Sequence, residues 1–577
     1  MKKYTPLICL MLMVSACTMT PERQANRVLR TLSTRDKIAQ LITVTCDSYN
    51  LPAKRENRNA MVRDEHIGGL IVMHDKIARS ADRLNELQAM SPIPLIVSID
   101  GEWGPSMRYG EFPFFPRQMQ LGALQDDSLI YQMGLAVAEE CKLLNIYINF
   151  APVADINVNP KNPVIGTRSF GENKDKVTRF ADAYMRGMQD GGIFACAKHF
   201  PGHGDTDVDS HKALPILPFS RERLDSLELY PFRRLMDHGV ELVMIGHLDI
   251  PVLDTTVSTL SKKVVTDLLK KELGYKGVVV TDALNMKGVS ENLTPAQVTL
   301  AAYKAGVDLL LMPDEVSESL DLIEAAINNG ECSMRDLNQR CRKILTLKAK
   351  AGMLAPGYSA IMDTTNIADC AALPEHRALV QELCDKSMTL VDNQSNLVPL
   401  CPDKRIAYIA YNAEYEPLKR HFGELEGLSG YCPKSGLRKT STLLYDRLHE
   451  AIPTMGYFTL SKQASEKDIK ALQKALRGYD EVLFVCHDPS GRPKDALING
   501  DQMEALSAII TTLPTTMVHF GTPYGMDEMT WLNQLGAILI GYADSENNQL
   551  AMSKVLLGEI PAQGVLPVSA GGYKATN

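Results

Sequence analysis

The chain has no block of like charge and no basic stripe: 61 Lys and Arg stand against 69 Asp and Glu, a net charge of -8. Neither nucleic acid nor an anionic membrane face is therefore indicated as a partner. It has no C-x-x-C pair, and its 12 cysteines are widely scattered. Cys46, Cys196 and Cys486 sit inside apolar runs, where thiols act as small hydrophobes, so neither a zinc site nor a disulfide scaffold is expected. No G-x-G-x-x-G and no G-x-x-x-x-G-K-[ST] occurs, which removes the usual support for a nucleotide, and no cofactor is expected. Solenoid periods and low-complexity tracts are absent as well.

What is present is bulk. At 577 residues and 45% hydrophobic, the chain exceeds one ordinary domain and has material for two cores. Its start, "MKKYTPLICLMLMVSAC", joins Lys2 and Lys3 to a short apolar run and a small-residue site before Cys17. The run is too short to stay in a bilayer, so residues 1–17 read as a secretory signal. "VSAC" resembles a bacterial lipobox, in which Cys17 becomes the lipidated first residue, anchored to the cell envelope without spanning a membrane. The following "TMTPER" carries no acidic cluster, which favours the periplasmic side.

Over residues 24–355 a short apolar run, a turn and a helical pattern recur. Eight such runs are found: "AQLITV", "GGLIVM", "PLIVSID", "INFAPV", "FACAKHF", "LVMIGHL", "GVVVTDA" and "DLLLMP". Nearly continuous apolar strands suit a parallel sheet covered on both faces, and eight βα units fit a TIM-type barrel better than a doubly wound sheet. Val265, Leu268, Leu269 and Leu273 give a helical stripe of the kind that packs outside such a sheet. The strand ends carry Asp100, Asp155, Lys198 with His199, His247 and Asp282, where a barrel of this kind keeps its working residues. Residues 356–376 read as a surface linker. Over 377–577 strands "RIAYIAY", "EVLFVCH", "TTMVHFG" and "GAILIGY" alternate with helical segments, predicting a smaller α/β domain.

Residues 198–211, "KHFPGHGDTDVDSH", concentrate three histidines and three aspartates on a segment that Pro201, Gly202 and Gly204 keep from being a helix. Calcium fits poorly, because the sixth position of a would-be EF-hand is Ser210 and the twelfth Ile216. Zinc through His199, His203 and His211 lacks a helix to make the ligands converge. Proton transfer remains: Asp209 lies two residues before His211, so its carboxylate can orient one imidazole nitrogen and leave the other for a substrate. Taken alone, an Asp-x-His pair is more often a surface hydrogen bond.

The same fourteen residues resemble the loop after the fifth barrel strand in the β-N-acetylglucosaminidases of glycoside hydrolase family 3. "SIDGEWGPSMR" is similar to that family's third-strand segment, and "NFAPVADIN" with "NPVIGTRSFG" to its fourth-strand region. "VVVTDALNM" is similar to its seventh-strand segment, and "FGTPYGM" extends the likeness into the second domain. The resemblance implies Asp282 as nucleophile and His211, oriented by Asp209, as acid/base. It implies Asp100, Arg108, Arg168, Lys198 and His199 as sugar-binding groups, with His203, His247 and Asp155 in support. Where many relatives have Glu-Gly-Gly, this chain has Glu102, Trp103 and Gly104, so Trp103 is expected as a wall of the sugar site.

The implied activity is metal-independent, exo-acting, retaining cleavage of β-linked N-acetylglucosamine, with peptidoglycan fragments as substrate. A neutral imidazole beside the glycosyl intermediate would not repel an anionic acceptor as a carboxylate does, so phosphate and water remain competing acceptors. Two alternatives stand beside this reading: a family 3 glycosidase of other sugar preference, and an inactive sugar-binding lipoprotein. Nothing in the sequence sets the oligomeric state.

Overall fold

The computed structural model describes residues 19–46, 52–208, 214–286, 289, 292–411, 441–460, 464–487, 507, 509–510 and 512–576. The segment expected to be a signal, with Cys17, and the pair Asp209 and His211 lie outside the described residues. Among the described residues, no helix is long and apolar enough to cross a membrane.

Eight strands make the first sheet: β1 (Ile42–Cys46), β2 (Gly69–Val72), β3 (Ile96–Ile99), β4 (Ile146–Asn149), β5 (Phe194–Phe200), β6 (Leu242–Ile245), β7 (Val278–Thr281) and β8 (Leu310–Leu311). All are parallel, in the order β7-β6-β5-β4-β3-β2-β1-β8. Ile42 of β1 pairs with Leu310 of β8, and Val280 bridges Leu309, so the sheet closes on itself as a barrel. The strands are apolar at successive positions because one face fills the barrel and the other meets helices; all seven residues of β5 are buried. The helical segment Lys263–Glu272 turns Val264, Val265, Leu268 and Leu269 inward, with Leu273 partly buried just beyond it.

The run expected as a strand through Val153 ends earlier, at Asn149. Pro152 has no N–H to give to a ladder, and pairing with β5 resumes only at Val153, opposite Lys198. That interruption turns Asp155 toward the barrel's carboxyl-terminal face, where His199 meets it.

The second domain is a six-stranded sheet in the order β11-β10-β12-β13-β14-β9. β10 (Ile406–Tyr411), β12 (Glu481–His487), β13 (Thr515–Phe520) and β14 (Ala537–Ile540) are the runs anticipated from the sequence. β9 (Thr389–Asp392), antiparallel to β14, and β11 (Gly456–Leu460) were not visible there. Both are edge strands with partly exposed residues, so neither shows a continuous apolar run. Residues 356–376 run along the barrel wall, where Met362 N donates to Asn85 Oδ1 at 2.8 Å. Their last residues already belong to the helix Pro374–Ser387, whose buried His376 meets Glu140 of the barrel helix Ser128–Lys142 at 3.0 Å. Gln120 and Asn548 exchange amide hydrogen bonds of 2.9 and 3.1 Å across the domain boundary, and Ser569 Oγ donates to Glu172 at 2.7 Å.

Candidate active site

The carboxyl-terminal ends of β3 to β7 gather a polar cup. Asp100 follows β3 directly and accepts from Lys198 Nζ at 2.5 Å and from Arg108 Nη2 at 3.0 Å. Arg108 Nε also donates to the Asp100 carbonyl at 3.0 Å, which explains why an arginine eight residues on can return to the same strand end. The second nitrogen, Nη1, lies 2.9 Å from His74 Nε2 beyond β2. Burial, then the Arg108 charge, holds the His74 imidazole down at about 4, so its Nε2 accepts from the guanidinium.

Glu102 is the centre of this cup, and sequence reasoning assigned it no role. Its side chain is 0% exposed. Arg168 grips it through Nε at 3.1 and 3.0 Å and Nη2 at 2.7 Å, while Lys198 Nζ stands 2.8 Å away. Burial alone would raise its carboxyl; the Arg168 and Lys198 charges overcome that and hold it far below the usual carboxylate range. Lys198, buried as well, is pushed up by Asp100 and Glu102 against its own desolvation. The signal for Glu102 was in plain view as a second acid two positions after Asp100 in "SIDGE".

A second cluster forms around Asp155. Its carboxylate accepts from His199 Nδ1 at 2.7 Å and from the backbone N–H groups of His199 and His203 at 3.2 and 2.8 Å. The two imidazoles lie 5.7 Å apart without any helix to align them. Arg168 Nη2 stands 3.3 Å from His199 Nε2, on the side of the ring away from Asp155. Burial keeps the His203 ring neutral, at about 4. Gly204 is required here by close approach: a Cβ would stand 1.8 Å from the Ile156 carbonyl oxygen.

Asp282 follows β7, its N–H held by Ile245 O of β6 at 2.9 Å. It differs from the three carboxylates already described. Among the described residues, the only hydrogen bond its side chain accepts is from Ala283 N–H, at 2.8 Å to Oδ1. Burial works to raise its carboxyl, but His247, His199, the Ala283 N–H and Lys198 together hold it at about 2. It is a buried anion that, among the described residues, is bonded to no Lys or Arg. His247 is fixed beside it by contacts of 2.7 Å to Thr259 Oγ1 and 3.0 Å to Ala283 O.

Trp103 lies at the rim, 7% exposed, packed on Phe114 with the Arg117 guanidinium 5.0 Å over its ring. Asn149, at the end of β4, also escaped sequence reasoning; its amide bonds Gly101 N and O at 3.0 and 2.9 Å and fixes the turn that carries Asp100 and Glu102.

The depressed carboxyls set a pH dependence. Asp282 ionises more easily in the fold than its ordinary value of 3.8, so its stabilising contribution is present above that value and lost as pH falls through about 2. Glu102 and Asp155 are displaced in the same direction, each against its own burial. Glu140, raised to about 7 mainly by burial, acts oppositely in the higher window between 4.5 and 7. The melting midpoint is expected to fall steeply below about pH 4. A midpoint unchanged from pH 4 to pH 2 would contradict an ionised cup.

A closed β/α barrel whose strand ends converge on a buried carboxylate, cations and imidazoles is the framework of a barrel enzyme. The glycosyl hydrolase family 3 N terminal domain matches residues 33–347, and that family's C-terminal domain matches residues 388–576. The chain belongs to glycosyl hydrolase family 3 and is a glycoside hydrolase. It is 29% identical to Beta-hexosaminidase A of Pseudoalteromonas piscicida, covering 87% of this chain and 89% of that one. It is 27% identical to a Beta-N-acetylglucosaminidase/beta-glucosidase of Cellulomonas fimi, covering 93% of each. Among solved structures, a family 3 β-N-acetylglucosaminidase from Paenibacillus sp. str. FPU-7 superposes with a TM-score of 0.75 at 29% identity, covering 95% of this chain and 100% of that one.

Proposed function

We propose that this chain is a retaining, exo-acting β-N-acetylglucosaminidase that works through a glycosyl ester on Asp282, with Asp209 and His211 as the acid/base dyad. The observation that carries the reading is the contrast among the cup carboxylates. Asp100 and Glu102 are neutralised by Lys198, Arg108 and Arg168, and Asp155 is bound by His199, whereas Asp282 is ionised and, among the described residues, has no Lys or Arg bonded to it. An anionic carboxylate held rigidly at a strand end is the nucleophile that retention requires. His211 is assigned as proton donor on the likeness of residues 198–211 to the family's loop and on Asp209 standing two residues before it in the sequence.

In the first step, Asp282 attacks the anomeric carbon, the glycosidic C–O bond breaks, and protonated His211 gives its proton to the leaving oxygen. In the second, neutral His211 takes a proton from water, whose oxygen displaces Asp282 and releases the sugar. Arg168, Lys198, Arg108, Asp100 and His199 hold the sugar over Asp282. The names of the relatives from Pseudoalteromonas piscicida and Paenibacillus support an N-acetylhexosaminide substrate. The lipobox at Cys17 supports action at the cell envelope on peptidoglycan fragments.

The Cellulomonas fimi relative's double name favours one second reading, in which β-glucosides are also cleaved. Parallel assays on aryl β-N-acetylglucosaminide and aryl β-glucoside separate the two. The expected result is a preference of at least about 100-fold for the N-acetylated substrate, because a site built to hydrogen-bond a group discriminates strongly against a competitor that lacks it. Equal kcat/KM on both would overturn the assignment.

A further inference from the structure

We propose that Tyr524, supplied by the second domain, is a positioning residue for Arg168 in the cup of the first. The proposal rests on the reading of Arg168 as a sugar-binding group. Tyr524 lies in the turn Pro523–Glu528 that follows β13 and is 5% exposed. Asn157, fully buried in the loop after β4, donates from Nδ2 to the Tyr524 hydroxyl at 2.7 Å. The other end of the same amide, Oδ1, accepts from Gly166 N–H at 3.2 Å. Gly166 opens the short turn Gly166–Arg168, from which the guanidinium reaches Glu102 and His199. The path from Tyr524 thus enters the cup two residues before the arginine.

At its start this turn has no side chain of its own to pack. Gly166 adopts φ +40°, and no atom lies within 4 Å of where its Cβ would be. Its backbone is held by hydrogen bonds instead: Gly166 N–H donates to Asn157 Oδ1, and the N–H groups of Val164 and Ile165 donate to Asn162 Oδ1 at 2.9 Å each. Removing the Tyr524 hydroxyl takes from Asn157 its shortest acceptor and leaves Asn159 O at 3.3 Å. A buried amide that loses such a partner turns to find another, releasing Gly166 and with it the orientation of Arg168. The loss is expected to fall chiefly on binding of substrate, because Arg168 makes no bond to Asp282 among the described residues.

The test uses the full chain and compares Tyr524→Phe, Arg168→Ala, their combination, and Gln125→Ala on an aryl β-N-acetylglucosaminide, with melting curves for each. Gln125 is the control because its Nε2 bonds Gln563 O across the same domain boundary at 2.7 Å, at an exposed position. Tyr524→Phe is expected to raise KM about five- to tenfold, the size of one lost buried hydrogen bond, with kcat within about threefold of the parent. Arg168→Ala is expected to raise KM further, the combination to match Arg168→Ala alone, and Gln125→Ala to leave KM unchanged. If Arg168→Ala leaves KM unchanged, the reading of Arg168 itself is overturned. If Arg168→Ala raises KM but Tyr524→Phe does not, or the two effects multiply, the positioning role is overturned while the sugar-binding reading stands. If Gln125→Ala reproduces the Tyr524→Phe effect, domain docking in general is responsible, and the proposal is overturned.

Discussion

Asp282→Asn is expected to lower kcat/KM on an aryl β-N-acetylglucosaminide by about 10⁴-fold or more, the range seen when a covalent nucleophile is removed. The amide keeps the shape of the carboxyl and can still accept from Ala283 N–H, so the protein should remain folded. What disappears is the anion that bonds to the anomeric carbon. A second variant, Asp282→Ala, leaves space where a small external anion can act. Adding azide to it is expected to restore turnover of a substrate with a good leaving group and yield a glycosyl azide of inverted configuration. Turnover by Asp282→Asn near that of the parent, or no product with azide, would place the nucleophile elsewhere. Because Asp282 is held at about 2, its protonation does not limit activity at neutral pH. Because the first step needs protonated His211, kcat/KM is expected to fall as pH rises through the range of histidine titration, and that alkaline limb is expected to vanish in His211→Ala.

The second large effect is on stability. Glu102→Ala removes a carboxylate that is 0% exposed, beneath Lys198 that is 2% exposed. Lys198 retains Asp100, but the other bond made by the Arg168 guanidinium to an oxygen is to Val164 O at 3.2 Å. Breaking a buried pair from one side costs about 3–5 kcal/mol, because the remaining charge stays desolvated without its partner. A clear drop in melting midpoint and in the denaturant midpoint is expected, with a smaller drop for Glu102→Gln, whose carbonyl can still accept from Arg168. Activity should fall with it, since Arg168 and Lys198 are both oriented by this carboxylate. A Glu102→Ala protein as stable as the parent would mean that the two cations do not depend on it.

How much was legible varied with the kind of signal. The barrel strands stood out because burial on both faces demands consecutive apolar residues, as in "FACAKHF" and "GVVVTDA". The edge strands β9 and β11 did not, since their partly exposed residues interrupt any such run. Asp100, Lys198, His199 and Asp282 could be picked out as polar residues that end apolar strands. Glu102 and Asn149 could have been found by the same rule and were passed over, while Tyr524 could not. Its relation to Asn157 spans 367 residues and exists only because one domain is laid against the other.

The amino-acid order by itself determined the repeating strand-and-helix plan, the family likeness and the set of titratable groups at the strand ends, because periodicity and loop chemistry are local properties. Only the tertiary structure decided which of those carboxylates is already engaged. Lys198 is drawn to Asp100 and Glu102, and Arg168 to Glu102, by strands and loops far apart in the chain, so that among the described residues Asp282 is left without a bonded Lys or Arg. Charge compensation acts through space at a few ångströms, and folding alone sets those distances.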